Sequence, residues 1–254
     1  MKNRLKGKTA LITGATAGIG LQIARDLAEM GVHLILTGRR DDRLKSVKEE
    51  LSQKNISVST LKFDIRFKDQ ILKAFESINL EHVDILINNA GLALGTDPVQ
   101  KAQTEDWDIM IDTNIKGLLM VTRIVSPYLI AKKSGHILNL SSIAGQEAYP
   151  GGVGYNATKF AVNGITKATK MDLHGTGVRV SMISPGAVKT EFSITRFKGD
   201  EERAESVYKG ITPLIAEDIS EIATFILNRP EHVNIMDVVV YPTAQSAATM
   251  VYRS

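Results

Sequence analysis

The residues best suited to chemistry gather in one stretch of this chain. Tyr155 and Lys159, in the run YNATK, stand four positions apart, which on a helix puts a phenol and an ammonium on one face. Upstream, the run ILNLSSIAG presents Ser142 just beyond an apolar segment that reads as a strand. A hydroxyl, a phenol and an ammonium together suit proton transfer between an alcohol and a carbonyl. In carbonyl reduction Tyr155 is the proton donor, Ser142 donates to the developing alkoxide, and Lys159 stabilises the phenol and binds a ribose. In the reverse direction Tyr155 accepts the alcohol proton. A free tyrosine titrates near 10, so bringing it towards neutrality takes roughly 3–4 kcal/mol from the lysine, a cationic cofactor ring and nearby dipoles. Asn114 is expected to hold a water linking Lys159 to solvent. Singly, each residue has an ordinary role in a core, a turn or a solvated helix. Their joint placement carries the reading.

A second cluster suits a dinucleotide. Gly14, Gly18 and Gly20, in TGATAGIG, lie between a short strand and a helix, where missing side chains let a pyrophosphate approach the helix amides. Their G-x-x-x-G-x-G spacing differs from the commoner G-x-G-x-x-G. At the end of the second strand, where NAD sites commonly carry an acid, stand Gly38, Arg39 and Arg40, whose cations attract a 2′-phosphate and favour NADP. Arg43 reads as decoration of the following helix. Asp64, after the third strand, either accepts from an adenine amino group or forms a turn. Residues 88–91 (NNAG) should line the pocket beyond the fourth strand.

Positioning these groups requires a regular frame, and apolar patterning supplies one. Strands are expected at 9–12, 32–37, 57–63, 83–87, 137–140, 178–183 and 238–241. Helical periodicity falls at 21–30, 44–51, 70–78, 105–130 (interrupted by Gly117 and Pro127) and 151–173. Strands that are apolar on both faces and alternate with helices imply an α/β, single-domain Rossmann fold: a doubly wound, parallel, seven-stranded sheet with helices on both faces. Residues 1–254 form one domain, and the polar, aromatic stretch at 187–212 reads as a substrate lid. The segment after 233 is expected to close the site or join subunits.

Composition narrows the function classes. The 254 residues include 31 basic and 28 acidic side chains, a scattered excess of +3 that lacks the concentrated field nucleic-acid binding needs. Having no cysteine excludes disulfides, thiolate metal sites and a cysteine nucleophile. Apolar runs stop at about four residues and the start carries no secretory apolar region, so an untargeted, cytoplasmic protein without a membrane span is expected. His136 and His232 have no acid-rich metal motif around them.

These motifs resemble the short-chain dehydrogenase/reductase family over essentially the whole chain. The resemblance implies a catalytic tetrad of Asn114, Ser142, Tyr155 and Lys159. It selects Ser142 over Ser141, which it leaves a structural role. It also implies NADP contacts from Gly14, Thr16, Gly18, Ile19, Gly20, Arg39, Arg40, Asp64, Ile65, Asn89, Ala90, Gly91, Tyr155, Lys159, Pro185, Gly186, Val188 and Thr190. No metal is implied, and a homotetramer joined through helices 105–130 and 151–173 is. The runs GLALG, WDIMIDTNIKGL, TEF, RFKGD and HVNI are similar to the family's NADP-dependent 3-hydroxy acid dehydrogenases, which act on serine, L-allo-threonine or 3-hydroxypropionate. Such a substrate carries a carboxylate, for which Arg196, Lys198 and Lys209 are candidate partners. Gln146, Tyr149 and Gly186 are candidate walls, with residues 92–94 and Phe192 excluding water. Two rival readings stand beside this one: a reductase of another carbonyl class (3-oxoacyl thioester, sugar or xenobiotic ketone), and a non-catalytic NADP-binding regulatory protein.

Overall fold

The computed structural model describes residues 2–254. Along β1 (Thr9–Thr13) successive side chains enter opposite apolar layers, Ala10 and Ile12 on one side and Leu11 on the other. β2 (His33–Gly38) repeats the pattern, with Leu34 and Leu36 opposed to Ile35. Burial on both faces is what a parallel sheet between helical layers demands. Five further strands complete it: β3 (Val58–Lys62), β4 (Ile85–Asn88), β5 (Gly135–Leu140), β6 (Val178–Pro185) and β7 (Asp237–Val240). All pair in parallel in the order β3-β2-β1-β4-β5-β6-β7. Strand order reverses between β1 and β4, the switch point where such sheets open a crevice at their carboxyl ends. The seven strands and their doubly wound order agree with the sequence reading.

One face is covered by α1 (Gly18–Glu29), α2 (Asp41–Ser52) and α9 (Ala216–Leu227), through Ile23, Leu27, Leu44, Leu51, Ile219 and Ile226 among others. The other carries α3 (Lys68–Phe75), α5 (Leu118–Ala131) and α6 (Val153–Asp172), with Ile71, Phe75, Val121, Val125 and Leu129 against the sheet. Each such side chain, fully buried, stabilises the fold by roughly 1.5–3 kcal/mol over its exposed state.

The helix expected at 105–130 runs as α4 (Thr104–Ile111), a π-helical turn (Asp112–Gly117) and α5. Pro127 sits inside α5 without ending it. Gly117 marks a close approach instead of a break, since a Cβ there would lie 2.7 Å from Ile65 Cγ1. Similarly, Gly154 lets α6 press on α4, where a Cβ would be 2.5 Å from Trp107 Cδ1. α9 has no counterpart in the sequence reading, although Ile219, Ala223 and Ile226 recur at helical spacing and Asp218 Oδ2 accepts from the Ile215 N–H at 2.8 Å. Between β6 and α9 the chain forms two short helices, α7 (Glu191–Arg196) and α8 (Glu201–Ser206), braced where the Tyr208 hydroxyl donates to Val188 O at 2.9 Å. Among the described residues no helix is long and apolar enough to cross a membrane.

Candidate active site

A cleft of about 510 Å³ lies beyond the carboxyl ends of the strands, a size suited to small molecules. Its walls are the residues that follow β1 to β6: Gly14, Arg39, Asp64, Asn89, Ser142 and Gly186 among them. Every residue expected at the cofactor or the reacting centre lines it except Gly20, Asn88 and Asn114.

The glycine-rich turn is held open by its neighbours. Gly14 and Gly18 have φ of 68° and 54°, conformations that favour glycine. A Cβ on Gly20 would collide with the Asn89 amide, so that glycine lets α1 press against the β4 loop without itself reaching the cleft. The Asn89 amide donates to Thr13 O (2.9 Å) and Gly14 O (3.0 Å), so it braces the turn. Asn88 departs from its expected place: it is buried and donates to Thr122 Oγ1 and Asn139 Oδ1, stitching β4 to α5 and β5 instead of lining the pocket. The start of α1 has no side-chain cap and no acid in its first turn, so its amides are free to donate to an anion. This cradle fits a pyrophosphate.

An arginine corner closes the other end of the cofactor groove. Arg39 is 56% exposed, with its Nη1 3.8 Å from Asp64 Oδ2. Asp64 is held more tightly by Arg66, whose Nη2 donates at 2.6 Å. Burial pushes the Asp64 pKa up, but hydrogen bonds from Arg66 and the nearby Arg39 charge prevail and keep it below the usual carboxylate value. Arg40 Nη2 donates to Thr16 Oγ1 at 3.0 Å and its Nη1 meets Glu191 Oε2 at 3.0 Å. Arg43 proves more than decoration, because its Nη1 takes the other oxygen of Glu191 at 2.6 Å. Glu191 lines the cleft and went unnoticed in the sequence, since its two partners lie 151 and 148 residues away.

At the reacting centre, β5 and α6 bring Ser142, Tyr155 and Lys159 together. Ser142 Oγ accepts from the Ala144 N–H at 3.1 Å and donates to Pro185 O at 3.4 Å, and its hydroxyl pulls the Tyr155 phenol pKa down. Ser141 turns away to donate to Asn163 Oδ1, the structural role expected of it. Lys159 is buried, donates to Leu140 O at 2.9 Å and lies 5.8 Å from the centre of the Tyr155 ring. Burial alone pushes its pKa down to about 8.

The phenol goes the other way. Burial, with Tyr149 adding to it, holds Tyr155 well above the ordinary tyrosine value, and the opposing pull of Ser142 and Arg196 is too weak to reverse this. The expected lowering draws on the lysine, a cationic cofactor ring and nearby dipoles together, and the chain's own groups do not supply it. The protein stores Tyr155 as an acid. Asn114 lies in the π-helical turn, its Oδ1 accepting from the Leu92 N–H (2.9 Å) and its Nδ2 donating to Leu92 O (2.8 Å) and Thr158 Oγ1 (3.0 Å). Its amide thus anchors the β4 loop to α6. The space above Gly91 adjoins both it and the lysine: a Cβ there would lie 3.3 Å from Asn114 Oδ1 and 3.7 Å from Lys159 Nζ.

The substrate end contains one cation from α7. The Arg196 guanidinium sits 5.7 Å from the Tyr155 ring centre and 5.5 Å from that of Tyr149, donating to the Tyr149 hydroxyl at 3.0 Å. Lys198 is paired with Asp106 at 2.8 Å, and neither it nor Lys209 lines the cleft. Tyr149, Gly186, Leu92 and Phe192 form walls as expected, whereas Ala93 and Leu94 do not line the cleft and Gln146 reaches outside to Asp237 at 3.3 Å. Gln245, from the C-terminal segment, is a wall that the sequence reading missed. Its Oε1 accepts from the Ala187 N–H at 2.9 Å and stands where a Cβ of Gly186 would go. His136 is buried against Ser181, and no cluster of metal-ligating side chains occurs among the described residues.

Comparison with known proteins follows this geometry closely. Residues 8–201 match the family model for short chain dehydrogenase. A probable NADP-dependent dehydrogenase of Haemophilus influenzae is 47% identical over 249 residues, covering 97% of this chain and 98% of that protein. An NADP-dependent 3-hydroxy acid dehydrogenase of Salmonella typhi is 46% identical over 248 residues, covering 96% and 99%. Among solved structures, the closed form of a serine dehydrogenase complexed with NADP+ superposes with a TM-score of 0.90 at 44% identity, covering 97% of this chain and all of that one (100%).

Proposed function

The chain belongs to the short-chain dehydrogenase family, and from that premise we propose that it is an NADP-dependent oxidoreductase interconverting short 3-hydroxy acids and 3-oxo acids. The observation that carries the substrate class is Arg196, a cleft-lining cation whose guanidinium lies 5.7 Å from the Tyr155 ring centre. A guanidinium so close to the phenol offers a carboxylate a two-pronged partner, and a substrate that reaches both groups must be short. The acid dehydrogenase and serine dehydrogenase named above support the same class.

The chain's own residues divide the work. The turn at Gly14 to Ile19 and the amides of α1 would hold the pyrophosphate, Arg39 and Arg40 the 2′-phosphate, and Lys159 a ribose through the donors left free of Leu140 O. Gly91, Pro185, Gly186, Val188 and Thr190 border the remainder of the groove. Bound there, the nicotinamide supplies a two-electron hydride donor or acceptor. Tyr155, stored protonated, gives its proton to the carbonyl oxygen during reduction and takes it back during oxidation. Ser142 donates to the same oxygen, and Phe192, 5.6 Å from the Tyr155 ring, excludes water beside it.

Residues 1–254 act as one domain in this reading, with 187–212 as the lid over the substrate. A homotetramer in the cytoplasm completes it, supported by exposed Leu119 on α5 and Phe160 and Met171 on α6. Oxidation of 3-hydroxypropionate and of 1-propanol by the native chain and by Arg196→Gln tests the substrate class. The variant should lose about 10- to 100-fold in kcat/KM for the acid and little for the neutral alcohol. Equal losses on both would refute it.

A further inference from the structure

Glu191 is the one acid at the arginine corner that faces the cleft from the lid. Its carboxylate bridges Arg40 (3.0 Å) and Arg43 (2.6 Å), and all three side chains are only partly exposed, at 47%, 41% and 40%. Arg40 is fixed from its other side by Thr16 Oγ1. The carboxylate therefore occupies donors that the proposed 2′-phosphate would use, and it offsets one of the two charges of Arg40 and Arg43. We infer that Glu191 is a specificity-determining residue that stands in for the cofactor 2′-phosphate at Arg40 and must yield when the phosphate binds. This inference rests on the NADP reading given above.

Two consequences follow from the position of Glu191 in the chain. A ligand without a 2′-phosphate leaves the bridge intact, so the displacement applies to NADP and not to NAD. Glu191 also opens α7, the helix that carries Phe192 beside Tyr155 and ends at Arg196. Release of Arg40 would thus remove one of the two tethers on the first residue of α7 and leave the other, to Arg43, in place. Glu191 acts through the arginines and is a positioning residue.

The test uses adenosine fragments, which need no turnover. The native protein and Glu191→Gln are titrated calorimetrically with 2′,5′-ADP and with 5′-AMP. Removing the competing charge from two partly exposed arginines should tighten 2′,5′-ADP binding about three- to tenfold while 5′-AMP stays within about twofold. A purely structural role would move both ligands together, and 5′-AMP binding reports that the variant is folded. Unchanged or weaker 2′,5′-ADP binding by the variant, with a native preference for 2′,5′-ADP over 5′-AMP intact, overturns the role of Glu191 alone. Equal native affinity for the two fragments overturns the NADP reading and this inference with it.

Discussion

Replacing Lys159 by methionine should make the cofactor-free protein more stable while abolishing its activity. Lys159 is 6% exposed, and burial takes its pKa from 10.5 to about 8. At 1.36 kcal/mol per pKa unit the charged form is disfavoured by about 3 kcal/mol in the folded chain. Methionine matches the length of the side chain and removes that cost, but leaves Leu140 O without its 2.9 Å donor, a loss of about 1 kcal/mol. The net gain is about 2 kcal/mol, or roughly 4–8 °C in Tm for a chain of this size. Its pH dependence identifies the cause. Because the folded pKa is depressed, the lysine penalty is fully present below pH 8, declines as pH rises through that value and is gone above about 10.5. Thermal melts of both proteins between pH 6.5 and 10 should therefore show an advantage for the variant that shrinks with pH. A lower Tm for the variant at pH 7, or a difference independent of pH, would refute the reasoning.

Other substitutions probe the remaining parts. Tyr155→Phe should retain cofactor binding but lower kcat by about 10²- to 10⁴-fold, measured by single-turnover absorbance; undiminished turnover would remove the phenol from the mechanism. Arg39→Ala should weaken NADP binding about tenfold and NAD binding hardly at all, as read by fluorescence titration. Gly20→Ala should destabilise the fold by about 1–3 kcal/mol in denaturant melts, because its Cβ meets the Asn89 amide that braces the turn.

Much of this architecture is legible in the sequence, and the exceptions have physical causes. Strands such as β1 and β2 are short apolar runs buried on both faces, so composition alone reveals them. The grouping of Ser142, Tyr155 and Lys159 is legible because the last two share one helix and Ser142 follows a strand. Environment is harder to read. The Tyr155 pKa depends on how completely neighbours bury it, and desolvation outweighs every nearby donor and cation. Long-range pairing is invisible too: the carboxylate of Glu191 reaches Arg40 and Arg43 only because the segment after β6 folds back over the segment after β2. Asn88 and Asn114 look like cleft residues by position, yet hydrogen bonds to other elements claim their amides. Among the lysines and Arg196, sequence offered three equal carboxylate partners, and packing against Tyr155 and Tyr149 distinguishes one.

The central claim joins a 2′-phosphate at one end of the cleft to a substrate carboxylate at the other. An initial-rate panel tests it directly by crossing NADP and NAD with 3-hydroxypropionate, serine, L-allo-threonine and 1-propanol. The account predicts that kcat/KM is at least about tenfold higher with NADP than with NAD and at least about tenfold higher for the acids than for 1-propanol. Equal rates with the two cofactors, or a neutral alcohol oxidised as well as the acids, would contradict it.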